Sequence, residues 1–548
     1  MSRFVDTMVA TAASAEGRGM TTGEPTAPIR RTWSEVHERA TRMAGALVAG
    51  GVAPGDSVAV LAGDPAAIAP AVQAVWLAGG SITMLHQPTA RTDLAEWAED
   101  TLKVLSMIGA RLVLLGAPFD ALAAVLDQHG VSYRLLDDLD GEPPAAPVAV
   151  DESATALLQL TSGSTADPKA VRITHGNLWS NAEAMRVAAA LDPETDRMVS
   201  WLPLFHDMGM VGFLTVPMLL GIDLVKVTPV DFLGRPTLWP DLISRYQGTI
   251  TAAPNFAYAI AARRMEGVED GTWDLSRLRI ALNGAEPIDP VAVKSFTDAG
   301  ARFGMPAECV LCAYGMAETT LGVAFAPLFT GLSVDVVDPD ELEAGRRAVP
   351  VPADSPNARA FPLLGPPLPG LEVEVVDESG AVRGEREVGQ LRVRGEAVTP
   401  EYLTVDGPVA TQDADGWLDT GDEGYVVDGQ VVVCGRRKDV IIMGGRNIYP
   451  TDIERAATSV EGVRAGNAVA VRLDAGTRRE RFAVVVESKH AGEDSAVREL
   501  SKAISARVVD AVGLRPYSVV VLKPGSLPKT PSGKLRRSAA SSLVPSAS

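Results

Sequence analysis

Hydrophobic and polar positions follow two different periods along the first two-thirds of the chain. Residues 33–49 and 67–78 carry apolar side chains at helical spacing, whereas residues 57–61, 111–115 and 132–136 are short apolar runs typical of buried strands. Strand and helix patterns that alternate in this way are typical of βαβ units. The pattern therefore predicts a mixed α/β fold built around largely parallel, covered sheets.

The character of the sequence changes after Gly365. Short strand-like runs now follow one another, separated by glycine and proline turns, at residues 371–376, 390–394 and 430–434. Such a succession predicts a β-rich subdomain. Residues 346–369, which come before the first of these runs, are rich in proline, arginine and alanine and predict a long surface loop.

A last unit begins at about residue 439. It combines helix patterns at residues 451–460 and 496–512 with a strand pattern at residues 482–487. These patterns predict a small α+β domain at the C-terminal end of the chain.

Composition and charge narrow the classes of function. The 548 residues are 46% hydrophobic and 22% charged, and their formal net charge is −19. This charge argues against nucleic-acid binding, which depends on Lys and Arg neutralising phosphates. The most apolar stretch, residues 211–225, is broken by Pro217 and Gly221 and is too short to span a bilayer. No signal pattern opens the chain, so we expect a cytoplasmic protein without a transmembrane segment.

The three cysteines are too few for a disulfide framework. Cys309 and Cys312 form a C-x-x-C motif, but a zinc site needs four ligands and no second pair or nearby histidine completes one. Two interpretations remain, a metal or redox pair and a buried strand in which cysteine acts as a small apolar residue. The apolar residues around the motif favour the strand.

The strongest local signal is the polar run Thr161-Ser-Gly-Ser-Thr-Ala-Asp-Pro-Lys169, which follows the apolar residues 156–160. Hydroxyl side chains around a glycine allow backbone N–H groups and hydroxyls to converge on phosphate oxygens, and Lys169 adds a positive charge. The spacing of a Walker A loop is absent. Taken alone, the run could equally be a polar Ser/Thr turn without function.

Three further segments favour nucleotide binding. Glu318 ends the run Tyr-Gly-Met-Ala-Glu318 after a tight turn, where a carboxylate suits a magnesium ion beside a nucleotide. Asp422 lies on the turn Asp-Thr-Gly-Asp422, where it can accept hydrogen bonds from ribose hydroxyls. Lys534 lies on the loop Lys-Thr-Pro-Ser-Gly-Lys534 near the C-terminus. Each segment alone could be a solvated turn, but this order is hard to obtain by chance.

In these motifs and their order, residues 33–537 resemble the adenylate-forming superfamily of acyl-CoA synthetases, peptide-synthetase adenylation domains and luciferases. The resemblance implies a large N-terminal domain of residues 1–435, in which residues 366–435 form the β-rich subdomain. It further implies a hinge at residues 436–439 and a small, mobile C-terminal lid at residues 440–548.

The resemblance also implies roles for individual residues, with ATP and Mg²⁺ as cofactors. Lys534, Glu318 and Lys169 would be catalytic. Glu318 would hold the magnesium ion, and Lys438 would be the hinge residue. The predicted lining of the acyl tunnel is His206, Asp207 and Phe256. The predicted contacts to ATP and AMP are Thr161, Ser162, Gly163, Ser164, Thr165, Asn283, Gly284, Ala285, Glu286, Tyr314, Gly315, Met316, Ala317, Thr319, Asp422 and Arg436.

Some segments are closer to one branch of the superfamily, the fatty-acyl-AMP ligases. They are the runs that begin at Trp201, Ala253 and Asn283. The stretch between Glu318 and Gly365 is also longer than in ordinary acyl-CoA ligases. The resemblance implies an insertion here, which in that branch packs between the domains and hinders formation of a CoA thioester. The acyl-adenylate then passes to an acyl carrier protein.

We place this insertion within residues 328–362 and expect it to dock on the lid. Polar side chains and a few apolar contacts, such as Leu332, Val334 and Leu342, would hold it there. A loop that makes no contact with the lid is the alternative.

His206 also has two interpretations. It could be a satisfied core histidine, or it could line the acyl tunnel near the substrate carboxylate, as the resemblance implies. A general-base role is disfavoured, because a carboxylic acid is already ionised at pH 7.

The sequence therefore predicts activation of a medium- or long-chain fatty acid to acyl-AMP with release of pyrophosphate, followed by acyl transfer to a carrier protein. Two other functions stay open. One is a long-chain fatty acid–CoA ligase, with CoA as the acceptor. The other is a non-catalytic relative that binds nucleotide or lipid.

Overall fold

The computed structural model describes residues 2–88, 92–161, 167–355, 358–443, 446–477, 480–529 and 535–545. The chain divides into two compact units. The first comprises Met1–Leu332, Gly365–Glu372 and Val393–Leu418, and the second comprises Ser333–Leu364, Val373–Arg392 and Asp419–Ser548. Each unit is built from separate stretches of sequence, because the chain passes from one to the other and back more than once.

Two eight-stranded sheets form the first unit. In spatial order, sheet A contains Gly322–Phe325, Val310–Gly315, Ile280–Asn283, Ile250–Ala253, Arg197–Ser200, Asp223–Lys226, Gly19–Thr22 and Ile29–Thr32. Sheet B contains Gly407–Ala410, Glu401–Thr404, Lys169–Thr174, Thr155–Thr161, Ser81–Met84, Ser57–Leu61, Ala110–Leu115 and Tyr133–Leu135. The six inner strands of sheet A are parallel. The predicted α/β fold with parallel-type sheets is confirmed.

The helices of this unit begin at residues that cap them. Thr32 and Glu35 form a reciprocal capping box before the helix Trp33–Ala49, which has the predicted bounds. Asp64 caps the next helix, Pro65–Leu77. The other α-helices are Arg3–Ser14, Leu94–Met107, Ala123–Gln128, His175–Ala188, Val216–Leu220, Pro229–Gly234, Leu238–Arg245, Asn255–Met265 and Pro290–Ala301, and Met208–Thr215 is a π-helix.

The second unit is strand-rich. Most of its strands belong to a four-stranded sheet (Leu371–Val376, Gly389–Gly395, Leu418–Val427, Gln430–Arg436), a three-stranded sheet (Ala468–Leu473, Arg481–Glu487, Ser518–Leu522) and two antiparallel pairs (Val334–Val337 with Arg359–Pro362, Ile441–Met443 with Arg446–Ile448). Its α-helices are Pro339–Glu343, Pro450–Thr458, Asp494–Val512 and Arg537–Ala540. The predicted strand-rich segment and the α+β arrangement after it are both present.

The predicted surface loop at residues 346–369 is wrong in part. Arg359–Pro362 is a strand paired with Val334–Val337. The Arg359 side chain is only 6% exposed, because its guanidinium lies 2.8 Å from Glu343 and 2.9 Å from Asp452. An arginine that finds two carboxylates can be buried where composition alone predicts solvent exposure.

Cys309 and Cys312 are both buried, and Cys312 lies in the strand Val310–Gly315. Burial raises the pKa of each thiol to about 12, so the metal-binding thiolate is disfavoured at neutral pH. Among the described residues, no three or more His, Cys, Asp or Glu side chains are arranged to hold a metal ion. Within the same ranges, no helix has the length and apolar character needed to cross a bilayer.

His175 gives a testable pH dependence of stability. The ring is fully buried, and burial lowers the pKa of His175 from its ordinary 6.5 to about 4. Between these values the unfolded chain binds a proton that the folded chain does not, so stability falls as pH falls through this window. We expect His175→Gln to reduce the loss of unfolding free energy between pH 7 and pH 5 by on the order of 2 kcal/mol or less.

Thermal unfolding of wild type and variant across this range measures the effect. His129 is exposed, and His129→Gln serves as the matched control that should keep the wild-type slope. An unchanged slope in His175→Gln would contradict the assignment of a neutral buried imidazole.

Candidate active site

Two neighbouring parallel strands of sheet A, Ile280–Asn283 and Val310–Gly315, carry the first group of predicted residues to one edge. Of the residues predicted to contact ATP and AMP, Asn283 ends the first strand and residues 284–286 follow it. The run at residues 314–319 begins at the end of the second strand. Because the carboxyl ends of parallel strands meet at the same edge of a sheet, the two runs lie side by side.

Asn283 is fully buried, and one atom of its side chain has no hydrogen-bond partner among the described residues. Its Nδ2 donates to Asn255 Oδ1 at 3.2 Å, but its Oδ1 accepts no hydrogen bond from the residues that the structure describes. A buried acceptor without a partner is destabilising unless a ligand satisfies it. Asn283 Oδ1 is therefore a candidate acceptor for an amino group of a bound nucleotide base.

The residues that follow Asn283 form a tight turn. A Cβ at Gly284 would lie 3.0 Å from the Ala313 carbonyl oxygen, and Ala285 has a φ of +68°. Glu286 accepts a 2.6 Å hydrogen bond from the backbone N–H of Phe256, at the start of the helix Asn255–Met265. Glu286 therefore stabilises a helix N-terminus, where a negative charge is favourable.

Glu318 lies on a second tight turn. Met316 N–H donates to the Leu321 carbonyl at 2.8 Å and closes the turn. A Cβ at Gly315 would lie 2.2 Å from the same carbonyl oxygen, so a side chain is excluded there. The other predicted residues of the run, Tyr314, Met316, Ala317 and Thr319, are buried. The turn leaves the Glu318 side chain 13% exposed.

Thr161 and Lys169 form the two ends of the predicted phosphate loop. They oppose each other in the antiparallel pair of strands Thr155–Thr161 and Lys169–Thr174. Thr161 Oγ1 is buried and has no hydrogen-bond partner in the described part of the chain. The predicted residues between them, Ser162, Gly163, Ser164 and Thr165, lie outside the described residues.

Lys169, Glu318 and Tyr402 come together in the first unit. The Tyr402 hydroxyl donates to Glu318 Oε1 at 2.7 Å. Lys169 Nζ lies 4.0 Å from the same oxygen and 3.9 Å from the centroid of the Tyr402 ring. Lys169 and Glu318, two of the three residues predicted to be catalytic, therefore lie close together. The third, Lys534, lies outside the described residues.

Tyr402 was not predicted from the sequence. In the run Glu-Tyr402-Leu-Thr it has the appearance of any strand tyrosine, because aromatic residues are common in strands. Only the antiparallel pairing of Glu401–Thr404 with Lys169–Thr174 brings its side chain to this place.

The predicted acyl-tunnel residues lie in two segments. His206 Nδ1 lies 2.6 Å from Asp207 Oδ1, and the His206 side chain is 22% exposed. Phe256 contacts Trp201 edge-on, with ring centroids 6.3 Å apart. Trp201 Nε1 is buried without a partner among the described residues. The segment that carries His206 therefore contacts Phe256 through Trp201.

His86 is a second histidine of this region that sequence reasoning missed. Its ring lies edge-on to Phe205, with centroids 5.4 Å apart. Burial, and to a smaller extent the proximity of His206, lowers the pKa of His86 to about 4. His86 is therefore neutral at pH 7. Its position after a strand of sheet B gave no signal that it would approach His206.

The remaining predicted residues belong to the second unit. Arg436 Nε lies 3.0 Å from Asp422 Oδ1, because the strands Leu418–Val427 and Gln430–Arg436 pair in register at these two residues. Asp422 is buried, whereas the Arg436 side chain is 49% exposed. Lys438 lies in the 3₁₀ turn Arg437–Asp439 that follows. The structure therefore brings Asp422 and Arg436 together.

Comparison with known proteins places this geometry in a family. The AMP-binding enzyme family matches residues 12–403, and the C-terminal domain of AMP-binding enzymes matches residues 445–539. Because the first match covers most of the chain, this protein belongs to the AMP-binding enzymes, which form acyl-adenylates.

Individual relatives point to one branch. Rv1013 of Mycobacterium tuberculosis, whose name describes a ligase of unspecified substrate, is 56% identical over 99% of this chain and 100% of its own length. The medium-chain-fatty-acid–[acyl-carrier-protein] ligase JamA of Moorena producens is 34% identical over 71% of this chain and 68% of its own. A chain from a structural study of fatty acyl-adenylate ligases from E. coli and L. pneumophila has a TM-score of 0.87 and 30% identity, covering 99% of this chain and 97% of that one. The predicted resemblance to the fatty-acyl-AMP ligases is confirmed.

The unused oxygen of Asn283 leads to a prediction for nucleotide binding. We expect Asn283→Ala to raise the KM for ATP about 3- to 10-fold with little change in kcat, because one hydrogen bond made equally in the ground and transition states is lost. Steady-state pyrophosphate release at varied ATP concentration measures the effect.

Asn255→Ala is the matched control. It removes the hydrogen bond between the two asparagines, and also the one that Asn255 Oδ1 accepts from Asp289 N–H at 3.1 Å, but leaves Asn283 Oδ1 in place. An equal rise in the KM for ATP in Asn283→Ala and Asn255→Ala would show that the effect comes from loss of the hydrogen bond between the two asparagines. That result would contradict a contact between Asn283 Oδ1 and the nucleotide.

Proposed function

We propose that the protein uses ATP and Mg²⁺ to convert a medium- or long-chain fatty acid to acyl-AMP and pyrophosphate, and then transfers the acyl group to a carrier protein. The observation that supports the first step is the shared contact of Lys169 and Tyr402 with Glu318 Oε1. The same unit also holds two buried polar atoms without a hydrogen-bond partner among the described residues, Thr161 Oγ1 and Asn283 Oδ1. A cation, a carboxylate and such atoms suit a nucleotide with a charged tail.

The residues fit a magnesium ion of the kind that nucleotide enzymes use. Such an ion is held by one or two carboxylates together with substrate phosphates. Glu318 supplies one carboxylate, and the described contacts of its side chain involve Oε1, which would leave Oε2 for a cation. The bound ion would offset negative charge on the pyrophosphate as it leaves.

The chain's own residues would perform the remaining work of adenylation. The substrate carboxylate forms a bond to the α-phosphorus while the bond to pyrophosphate breaks. Two anions must approach each other, so electrostatic stabilisation is the largest contribution that residues can make. Lys169 would neutralise the phosphates at the mouth of the loop. His206 and Phe256 would hold the acyl chain, and Asp422 with Arg436 would bind the ribose.

Movement of the lid would complete the site. We place the hinge at Lys438 and the catalytic lysine at Lys534, on the resemblance to the family. Closure would exclude water, which protects an acyl-adenylate from hydrolysis.

A carrier protein is proposed as the acceptor for two reasons. JamA, a relative at 34% identity, is named as a ligase that acylates a carrier protein. In addition, most of the described residues of the predicted insertion, 333–355 and 358–362, belong to the second unit. Leu342 from this segment is fully buried in one apolar cluster with Val440 and Tyr449, which follow the hinge. Of the other apolar contacts expected, Val334 is 37% exposed and Leu332 belongs to the first unit.

Four charged residues reinforce this docking. Glu343, 1% exposed, lies 2.8 Å from Arg359 of the same segment and 2.7 Å from Arg446 beyond the hinge. Arg359 also lies 2.9 Å from Asp452, close enough for an ion pair although the angle is poor for a hydrogen bond. Removing one partner from such a buried set leaves uncompensated charge. Rotation of the lid away from the insertion would have the same consequence.

This docking would disfavour the arrangement needed for a CoA thioester. A preference of only ~3 kcal/mol holds a competing conformation below about one per cent of molecules. We therefore expect acyl-AMP to form readily and acyl-CoA slowly.

The proposed function is tested with purified protein, ATP, Mg²⁺ and a panel of fatty acids of increasing chain length, with CoA and a carrier protein as competing acceptors. Mass spectrometry should detect acyl-AMP and acylated carrier protein, with little acyl-CoA. Rapid acyl-CoA synthesis would instead identify a fatty acid–CoA ligase. Absence of pyrophosphate release with every acid would identify a non-catalytic relative.

The role of the insertion is tested by Glu343→Ala. Loss of the carboxylate should remove the partner that Arg359 and Arg446 share, which leaves Arg359 with Asp452 and Arg446 with the more distant Asp340. Docking should therefore weaken, and the yield of acyl-CoA relative to acyl-AMP should rise about 10-fold or more. The ratio of products measures this, and thermal unfolding shows whether the fold is retained.

Arg347→Gln is the control from the same segment. Arg347 is 59% exposed and lies 3.9 Å from Glu387, so its pair contributes little and the ratio of products should not change. An unchanged ratio in a folded Glu343→Ala variant would argue against the insertion as the cause of acceptor choice.

A further inference from the structure

Residues 396–402, the clamp segment, contact the turn that carries Glu318 at several points. Thr399 N–H donates to the Glu318 carbonyl oxygen at 2.9 Å, and Thr320 Oγ1 donates to the Ala397 carbonyl at 3.0 Å. With the hydrogen bond from Tyr402 to Oε1, the clamp segment holds both the backbone and the side chain of Glu318.

The clamp segment is itself anchored to the first unit. Asn177 Nδ2 donates to the carbonyls of Glu396 at 2.7 Å and Val398 at 3.2 Å. Gln412 Nε2 donates to the carbonyls of Val398 and Thr399, both at 3.1 Å. Tyr402 therefore extends from a fixed backbone rather than from a solvated loop.

Sheet geometry fixes the second contact of Tyr402. The register pairs Tyr402 with Val171, and Lys169 lies two residues from Val171 on the same strand. Side chains two residues apart lie on one face of a strand, so Lys169 and Tyr402 are diagonal neighbours on the same face of sheet B. This places the ammonium 3.9 Å from the ring centroid, within the range of a cation–π interaction.

We propose that Tyr402 is a positioning residue for adenylation, acting on Glu318 through its hydroxyl and on Lys169 through its ring. The proposal rests on the proposed roles of Glu318 and Lys169. The hydroxyl fixes Oε1 and with it the orientation of the carboxylate that would hold the magnesium ion. The ring restricts the ammonium to the neighbourhood of the carboxylate, so that fewer rotamers are lost when the lysine binds phosphate. In this role Tyr402 would act only through Glu318 and Lys169 and would not itself bind substrate or metal.

The two contacts are separable by substitution. Tyr402→Phe removes the hydroxyl and keeps the ring, and the Mg²⁺ concentration at half-maximal rate should rise about 10-fold, as is typical when a partner that orients a metal ligand is lost. Excess Mg²⁺ should restore most of the rate. Tyr402→Leu removes the ring as well, and the KM for ATP at saturating Mg²⁺ should additionally rise about 2- to 10-fold, because Lys169 must then be ordered on binding.

A binding measurement separates this proposal from the proposed function. Calorimetric titration of the full chain with a non-hydrolysable ATP analogue at varied Mg²⁺ requires no fatty acid or acceptor. Tyr402→Phe should shift the Mg²⁺ dependence of nucleotide affinity by about the same factor as it shifts the rate. If wild type releases no pyrophosphate with any fatty acid but Tyr402→Phe shows this shift, the proposed function fails and the role of Tyr402 in positioning Glu318 for Mg²⁺ stands.

Tyr133→Phe is the matched control. Tyr133 also donates to a carboxylate, Asp127, at 3.3 Å in the same unit, and its loss should leave the Mg²⁺ dependence unchanged. Two results would overturn the proposal: a Mg²⁺ half-point in Tyr402→Phe within twofold of wild type, or a rate that falls equally at every Mg²⁺ concentration. The second result is the one that a purely structural role of Tyr402 would give.

Discussion

The antiparallel pairing of the strand Lys169–Thr174 with its neighbours on both sides is the constraint on which the site depends. On one side, the pairing places Thr161 opposite Lys169 and closes the predicted phosphate loop at its base. On the other side, it places Tyr402 on the same face as Lys169. Because side chains alternate between faces, a shift of one residue in either register would remove these contacts. Backbone hydrogen bonding therefore positions the charged groups of the site.

Two pairs of charged side chains, one in each unit, differ in how far they are buried. In the first, Lys169 and Glu318 lie 4.0 Å apart and are both partly exposed, which leaves them available to a ligand. In the second, Glu343 and Arg359 are almost completely buried, and their partners are other protein groups. Groups paired inside the protein hold segments together, because separating them leaves buried charge unpaired. The same types of side chain therefore suit ligand binding where they are partly exposed and docking where they are buried.

Much of the architecture could be predicted because it depends on local patterns. The helix Trp33–Ala49 has the predicted bounds, since a capping box marks its start and glycines follow its end. The prediction of a surface loop is wrong at Arg359, because the burial of this residue depends on Glu343 and Asp452, which are distant in sequence. Tyr402 and His86 were missed for the same reason. Nothing in the neighbouring residues distinguishes them from other strand or loop positions.

The sequence by itself determined the alternation of strands and helices, the family resemblance and the identity of the chemically active residue types, because these depend on spacing along the chain. Only the tertiary structure decided which of these residues meet. The contact of Tyr402 with Glu318 joins positions 84 residues apart, and that of Glu343 with Arg446 joins positions 103 apart. Such contacts depend on strand register and packing, which are set by the whole fold and not by any single segment.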